Sequence, residues 1–457
     1  QLTLTRITRQ VSRTFDLNAL LAGVNGIKKC EHTPWASVLN QAVFAGRIRN
    51  GVWDYIKEWI KMISERMKPL VMNNSAIRTM FEEGNRLAKI YGRDKVFDFS
   101  LGNPNVPAPE AVNQAIMDVI TEEDSNMVHG YMSNAGYEDV RDTVAQSLNE
   151  RFGTSFTAGN ILMTVGAASG LNVILKTLLN PGDQVITFAP YFLEYGGYVR
   201  NYDGELVVIS PNTETFQPNL KEFEEKINEK TKAVIINTPN NPSGVVYSRE
   251  TLENISDILE KKQKEFGTSI VLISDEPYRE LAYDGVEVPF VTKFYANTVI
   301  GYSFSKSLSL PGERIGYLVI PDELTDSKEV FTAASIANRV LGCVNAPSLM
   351  QRVIKRCIHE KVNLEAYDRN RNLLYSSLCE YGFSCIKPQG AFYLFMKSPV
   401  ENEKEFCEVC KKYNILVVPG SSFACPGYVR IAYCVSYEQI ERSLPAFKKV
   451  AEEYGLV

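Results

Sequence analysis

Histidine is nearly missing from this chain: 457 residues hold three, His32, His129 and His359. Histidine-based triads and His-rich metal sites therefore have little to stand on, and no metal is implied. Positive charge is in deficit, with 49 Lys and Arg against 54 Asp and Glu for a net −5, which argues against a nucleic-acid partner. No uncharged apolar run approaches the ~20 residues of a membrane span. Cysteine is odd in number, nine, and eight of the nine fall between Cys343 and Cys434. Cys407 and Cys410 make one C-x-x-C inside a segment that reads as helix. A zinc site would need further ligands at familiar spacing, so these cysteines read as reduced and buried, as in a cytosolic protein. No internal repeat or low-complexity tract is present.

What remains is ordinary for a globular protein: 45% hydrophobic and 23% charged residues. The length suits two domains and an extra piece. Apolar runs at about 161–165, 185–189, 206–209, 233–237, 270–274, 298–303 and 315–320 alternate with helical patterns. Seven such strands predict a mostly parallel sheet covered on both faces. Residues 75–91 read as a helix capped by Ser75 and closed by Gly92, and 111–123 as another. Apolar periodicity over 171–179 predicts a helix stopped by Pro181 and Gly182. After Pro321 comes a long helical stretch, 329–378, and then strands near 391–396, 415–419 and 428–433. The expected fold class is α/β: a three-layer αβα domain with a seven-stranded sheet, plus a smaller α+β domain. The expected boundaries are an N-terminal extension (1–61), a first helix and start of the small domain (62–110), a large domain (111–325) and a small C-terminal domain (326–457).

The strand ends carry the chemistry. The run 298–303 leads into Ser303, Ser305 and Lys306, with Arg314 eight residues beyond the lysine. A lysine at the tip of a buried strand, among hydroxyls and one arginine, can hold an aldehyde cofactor covalently while its neighbours hold a phosphate. Gly166, Ala167 and Ala168 make a small-residue turn between strand and helix, either an anion cradle or only tight packing. Tyr191 and Phe192 end another strand; one ring could stack on a flat cofactor, although core aromatics read the same way. Asn241 precedes a proline and is held out of helix geometry. Asp275, at the tip of 270–274, could pair with a ring nitrogen or be a helix N-cap. All these groups fall at the carboxyl ends of strands, the edge where open α/β sheets bind ligands.

Together they resemble the fold-type I aminotransferases of class I/II, the aspartate aminotransferase-like group, over about residues 70–457. The resemblance implies pyridoxal 5′-phosphate as cofactor and Lys306 as its Schiff-base lysine. It implies Asp275 as partner of the pyridine nitrogen, and Tyr278 and Asn241 as donors to the ring oxygen. Phe192 would be the stacking ring, and Ala167, Ala168, Ser303, Ser305 and Arg314 would hold the phosphate. Tyr131 would reach the phosphate of the neighbouring subunit's cofactor, in a homodimer with shared active sites. Arg430 would bind the substrate α-carboxylate beside Gly102 and Asn241. The implied reaction moves an amino group between an L-amino acid and a 2-oxo acid, with 2-oxoglutarate and glutamate as one pair. The same fold and lysine also serve β-lyases, which stand as the alternative, and decarboxylating synthases; a non-catalytic regulator is opposed by the intact Lys306, Asp275, Arg314 and Arg430. A second cation reading a dicarboxylate side chain could be Lys176, Arg200 or Arg339.

The first 61 residues differ from the rest. They hold all three tryptophans, Trp35, Trp53 and Trp59, and nine basic against four acidic side chains. Arg6, Arg9 and Arg13 resemble an organellar presequence. Residues 38–63 could form an amphipathic helix. The expected location is cytoplasmic, or an organelle if 1–61 is a targeting segment.

Overall fold

The computed structural model describes residues 62–72 and 76–457. The readings made for 1–61, for the 38–63 helix up to its last two residues and for the Ser75 cap fall outside them. The chain divides into two compact units, 1–78 and 79–457. Short helix Lys68–Met72 belongs to the first.

Within the second, β1 (Phe97–Asp98) is followed by seven strands of one sheet: β2 (Ile161–Thr164), β3 (Gln184–Phe188), β4 (Glu205–Ile209), β5 (Thr231–Asn237), β6 (Val271–Asp275), β7 (Thr298–Ser303) and β8 (Gly316–Val319). Their order is β2-β8-β7-β6-β5-β3-β4, and β8 alone runs against its neighbours. All seven expected strands are present, and the expected α/β class holds.

The near-continuous apolar runs follow from burial on both faces. Alternate residues point to opposite sides. Ala233, Ile235 and Ile273 join a core with Leu171, Ile174 and Leu175 of helix Gly166–Leu178. Val234, Ile236 and Leu272 join a core with Leu252, Ile255 and Leu259 of helix Arg249–Phe266. That helix opens with Ser248 accepting from the Thr251 amide and closes on Gly267, the left-handed position that suits glycine.

A three-stranded antiparallel sheet follows in the order β11-β12-β9, formed by β9 (Tyr393–Lys397), β11 (Val418–Pro419) and β12 (Tyr428–Ala432). Between β9 and β11, β10 (Ile415–Leu416) pairs in parallel with β1.

Two readings are corrected. The helix expected from Leu171 starts at Gly166: Ala167, Ala168 and Ser169 carry no apolar period, yet small residues enter a helix readily. The stretch 329–378 is three helices, Ser327–Val340, Ser348–Cys357 and Leu364–Glu380. Gly342 at φ +90° and Pro347, which caps the second helix, make the first break.

Candidate active site

The carboxyl edge of the large sheet gathers the predicted residues. β7 ends at Ser303, whose hydroxyl accepts from the Ser305 amide and caps the one-turn helix Phe304–Ser307. Lys306 sits on that turn. Its Nζ donates to the Gly102 carbonyl at 2.7 Å and lies 5.1 Å from the Phe392 ring centre. Burial lowers the amine to about 8; Arg430 and Arg314 push the same way, and Cys434 opposes them. A cation displaced from water and facing two guanidiniums is easier to deprotonate.

Asp275 ends β6. Its Oδ2 accepts from Tyr195 at 2.6 Å, while Oδ1 is buried with no partner in the chain. Burial raises the carboxyl to about 7; the Tyr195 bond opposes the rise and Glu276 adds to it. The helix N-cap alternative fails, because no helix starts at Asp275. Asn237, at the tip of β5, ties the neighbouring strand to it by donating to the Asp275 carbonyl at 2.8 Å. The Asn237 side-chain oxygen also accepts from the Asn241 amide at 2.7 Å, which sets the loop that carries Asn241.

Arg430, on β12, is fully enclosed. One Nη donates to Asn241 Oδ1 at 3.0 Å, the other to the Ser100 carbonyl at 2.6 Å, and Nε is buried without a partner. Tyr393 and Phe423 flank its guanidinium at 4.5 and 4.8 Å. Tyr278 is buried, and its hydroxyl meets that of Tyr393 at 3.0 Å. Burial pushes the Tyr278 phenol well up, so it stays protonated. Gly102 cannot take a side chain: a Cβ there would lie 1.9 Å from the Tyr393 hydroxyl.

At the far side of Lys306, Ser303 and Ser305 hydroxyls meet at 2.7 Å. Arg314 donates to the Pro311 carbonyl at 2.8 Å and reaches over the helix start, where a Cβ on Gly166 (φ +78°) would lie 2.7 Å from its Nη2. Ala167 and Ala168 therefore present the free first amides of helix Gly166–Leu178 beside the Arg314 guanidinium, a setting suited to an anion. Phe192 is only partly buried and packs edge-on against Tyr195 at 5.7 Å, whereas Tyr191 is buried. Tyr131 is 91% exposed.

Sequence reasoning missed Tyr195, Tyr393, Phe392 and Cys434. Tyr195 had a usable signal, its place three residues after Phe192 at the start of helix Glu194–Arg200. The others gave none, because they lie in or beside the strands of the small sheet, far away in sequence. The suggested second cations, Lys176, Arg200 and Arg339, lie on helices Gly166–Leu178, Glu194–Arg200 and Ser327–Val340. Lys176 is ten residues along the helix from Gly166, about 15 Å at 1.5 Å per residue, and it faces Tyr202. Arg200 and Arg339 are exposed.

A lysine, a carboxylate and an arginine gathered near the carboxyl edge of an α/β sheet make a ligand-binding enzyme site. The chain belongs to the aminotransferase class I and II family, whose model matches residues 94–447. It is 30% identical to an aspartate aminotransferase of Thermotoga maritima, over 84% of this chain and 97% of that protein. It is 29% identical to aromatic-amino-acid aminotransferase 2 of Thermococcus litoralis, over 86% of this chain and all of that protein. A solved amino transferase from Eubacterium rectale superposes with a TM-score of 0.84 at 48% identity, covering 86% of this chain and 99% of that one. The chain is an enzyme that transfers amino groups between amino acids and 2-oxo acids, and its family implies pyridoxal phosphate. Among the described residues no helix is long and apolar enough to cross a membrane.

Proposed function

We propose that Lys306 is the catalytic lysine of a pyridoxal-phosphate aminotransferase acting on an L-amino acid and a 2-oxo acid. The observation that carries this reading is the Lys306 amine itself, on the turn just beyond β7, donating to the Gly102 carbonyl at 2.7 Å. The residues around it fit the cofactor. Asp275 offers a buried carboxylate oxygen that lacks a donor, which a protonated ring nitrogen would supply. Ser303, Ser305, Arg314 and the amides of Ala167 and Ala168 offer an anion site, and Tyr278 and Asn241 would be the donors to the ring oxygen. Phe192 supplies an apolar ring beside Tyr195.

When bound, pyridoxal phosphate supplies an electron sink for the pair left at the substrate Cα. Asp275, facing a cation, keeps its charge and holds that cation protonated. Arg430 takes the substrate carboxylate with its fork, fixing which Cα bond faces the lysine. Nζ of Lys306, free base at an accessible pH, would take the proton from the substrate Cα and hold it for return. The Gly102 carbonyl holds the amine in place meanwhile.

Tyr131, exposed on its own chain, supports a homodimer in which it completes the other subunit's phosphate site. The names of the two relatives support aspartate or aromatic donors, and 2-oxoglutarate is the expected acceptor. The test is the absorbance of the holoenzyme before and after single amino acids. A shifted band with keto acid released and aminated cofactor retained supports the reading and names the donor. Pyruvate and ammonia with unchanged cofactor make the enzyme a lyase. Normal turnover by Lys306→Ala refutes the lysine's role.

A further inference from the structure

The C-x-x-C pair is chemically quiet. Cys407 and Cys410 lie on helix Glu403–Lys412, both buried, and burial pushes both thiols up. Thiols held protonated and away from solvent react slowly. The expectation that the cysteines are buried fails elsewhere: Cys379 is exposed, and Cys343 and Cys385 are half-buried.

Cys379 and Cys385 are also in contact, with their Sγ atoms 3.8 Å apart. Cys379 is the penultimate residue of helix Leu364–Glu380. The chain turns back through Gly382 at φ +82°, whose amide donates to the Cys379 carbonyl at 3.0 Å. The Phe383 amide donates to the Leu378 carbonyl at 3.0 Å and closes the helix end. Cys385 then bridges Met396 of β9, and the Lys397 amide donates to the Ser384 carbonyl at 2.8 Å. One sulfur is thus fixed by a helix end and the other by a sheet edge. A bond needs the two sulfurs to close from 3.8 Å to about 2.05 Å. Tyr375, one turn earlier on the helix, stands beside Cys379.

We infer that Cys379 and Cys385 are a reversible dithiol–disulfide pair, a modification site for small disulfides of the glutathione class. The Cys379 thiolate attacks one sulfur of the small disulfide, forming a mixed disulfide and expelling one thiolate. The Cys385 thiolate then attacks the Cys379 sulfur, forming the internal bond and expelling the second thiolate. The two protons lost by the cysteines go to the two thiolates released. Two protein thiols are oxidised by two electrons, and one small disulfide is reduced to two thiols. Exposure sets the order. Cys379 is open to the reagent, while Cys385 is half-buried and in contact with the Cys379 sulfur, so Cys385 resolves.

The test is to incubate the full-length holoenzyme with glutathione disulfide, alkylate the remaining thiols, and cleave after glutamate. Glu380 lies between the two cysteines, so an internal bond leaves two peptides joined, lighter by two hydrogens than the reduced pair. Dithiothreitol should separate them. Cys385→Ser should instead retain a glutathione adduct on Cys379, and Cys379→Ser should leave Cys385 unmodified. A wild-type protein that keeps the Cys379 adduct as long as Cys385→Ser does, or that joins either cysteine elsewhere, overturns the inference. Should Cys385→Ser fail to fold, the wild-type peptide map decides alone.

Discussion

Tyr195 donates to one oxygen of Asp275 at 2.6 Å and leaves the other oxygen buried and unpartnered. Burial holds the carboxyl at about 7, against an ordinary 3.8, although the Tyr195 bond pulls it down. A carboxyl whose folded pKa lies above its unfolded one stabilises the fold at low pH, and that stability is lost as pH rises through the folded value. The cofactor-free protein should lose up to about 4 kcal/mol from this group between pH 4 and pH 7, at 1.36 kcal/mol per unit. Melting wild type and Asp275→Asn side by side checks it: the difference between them should change over that window and be flat above pH 8.

Replacing Tyr195 by Phe removes the one bond that favours the Asp275 carboxylate. The carboxyl should then titrate higher still, and the acid limb of kcat/KM should move to higher pH. Because the phenol is buried, the variant also leaves an oxygen without its donor, costing about 1–3 kcal/mol. A pH–rate profile separates these effects: lost stability lowers the yield of active enzyme, while a moved limb reports the carboxyl.

Lys306 should be the most reactive lysine in the cofactor-free protein. With its amine at about 8, against 10.5 for an ordinary lysine, roughly 10²-fold more of it is free base at neutral pH. A limiting amount of a small amine-selective acylating reagent at pH 7, followed by peptide mapping, should label Lys306 first. Labelling spread evenly over the exposed lysines would contradict the lowered value.

Arg430→Lys should not be a mild change. Lysine keeps the charge but cannot hold Asn241 Oδ1 and the Ser100 carbonyl with one planar fork while presenting a third edge to a carboxylate. Losing a charge-assisted pair of bonds should lower kcat/KM by roughly 10²-fold, chiefly through KM. Steady-state kinetics at saturating oxo acid measure it, and an unchanged KM would place the carboxylate elsewhere.

The large sheet was readable because parallel strands buried on both faces are written as apolar runs, and each run's last polar residue marks the binding edge. Asp275 and Lys306 were visible for that reason. Tyr195 and Tyr393 were not, since their partners lie 80 and 115 residues away in sequence. Only tertiary packing creates those pairs. Cysteine shows the opposite failure: spacing drew attention to Cys407 and Cys410, while the turn at Gly382 brings Cys379 and Cys385 together. Helix ends were misread where small residues hide the period, at Gly166, or where a glycine interrupts it, at Gly342.

The residue after Asp275 offers the sharpest test of stability. Glu276 is fully buried, its Oε1 taking the Ser274 hydroxyl at 2.6 Å and its Oε2 taking Arg279 Nε at 2.6 Å. Arg279 in turn lies 5.1 and 4.8 Å from the rings of Phe152 and Phe290, which stack at 4.3 Å. Burial already pushes the Glu276 carboxyl up, against the pull of Arg279. Arg279→Met removes the compensating charge but keeps most of the volume, so it should destabilise by about 3–5 kcal/mol. The double variant Glu276→Gln with Arg279→Met removes both charges and should recover most of that loss. Urea unfolding checks both, as a lower midpoint at unchanged slope for the single variant. If the double variant is no more stable than the single, the cost lies in lost ring contacts, not in an orphaned carboxylate.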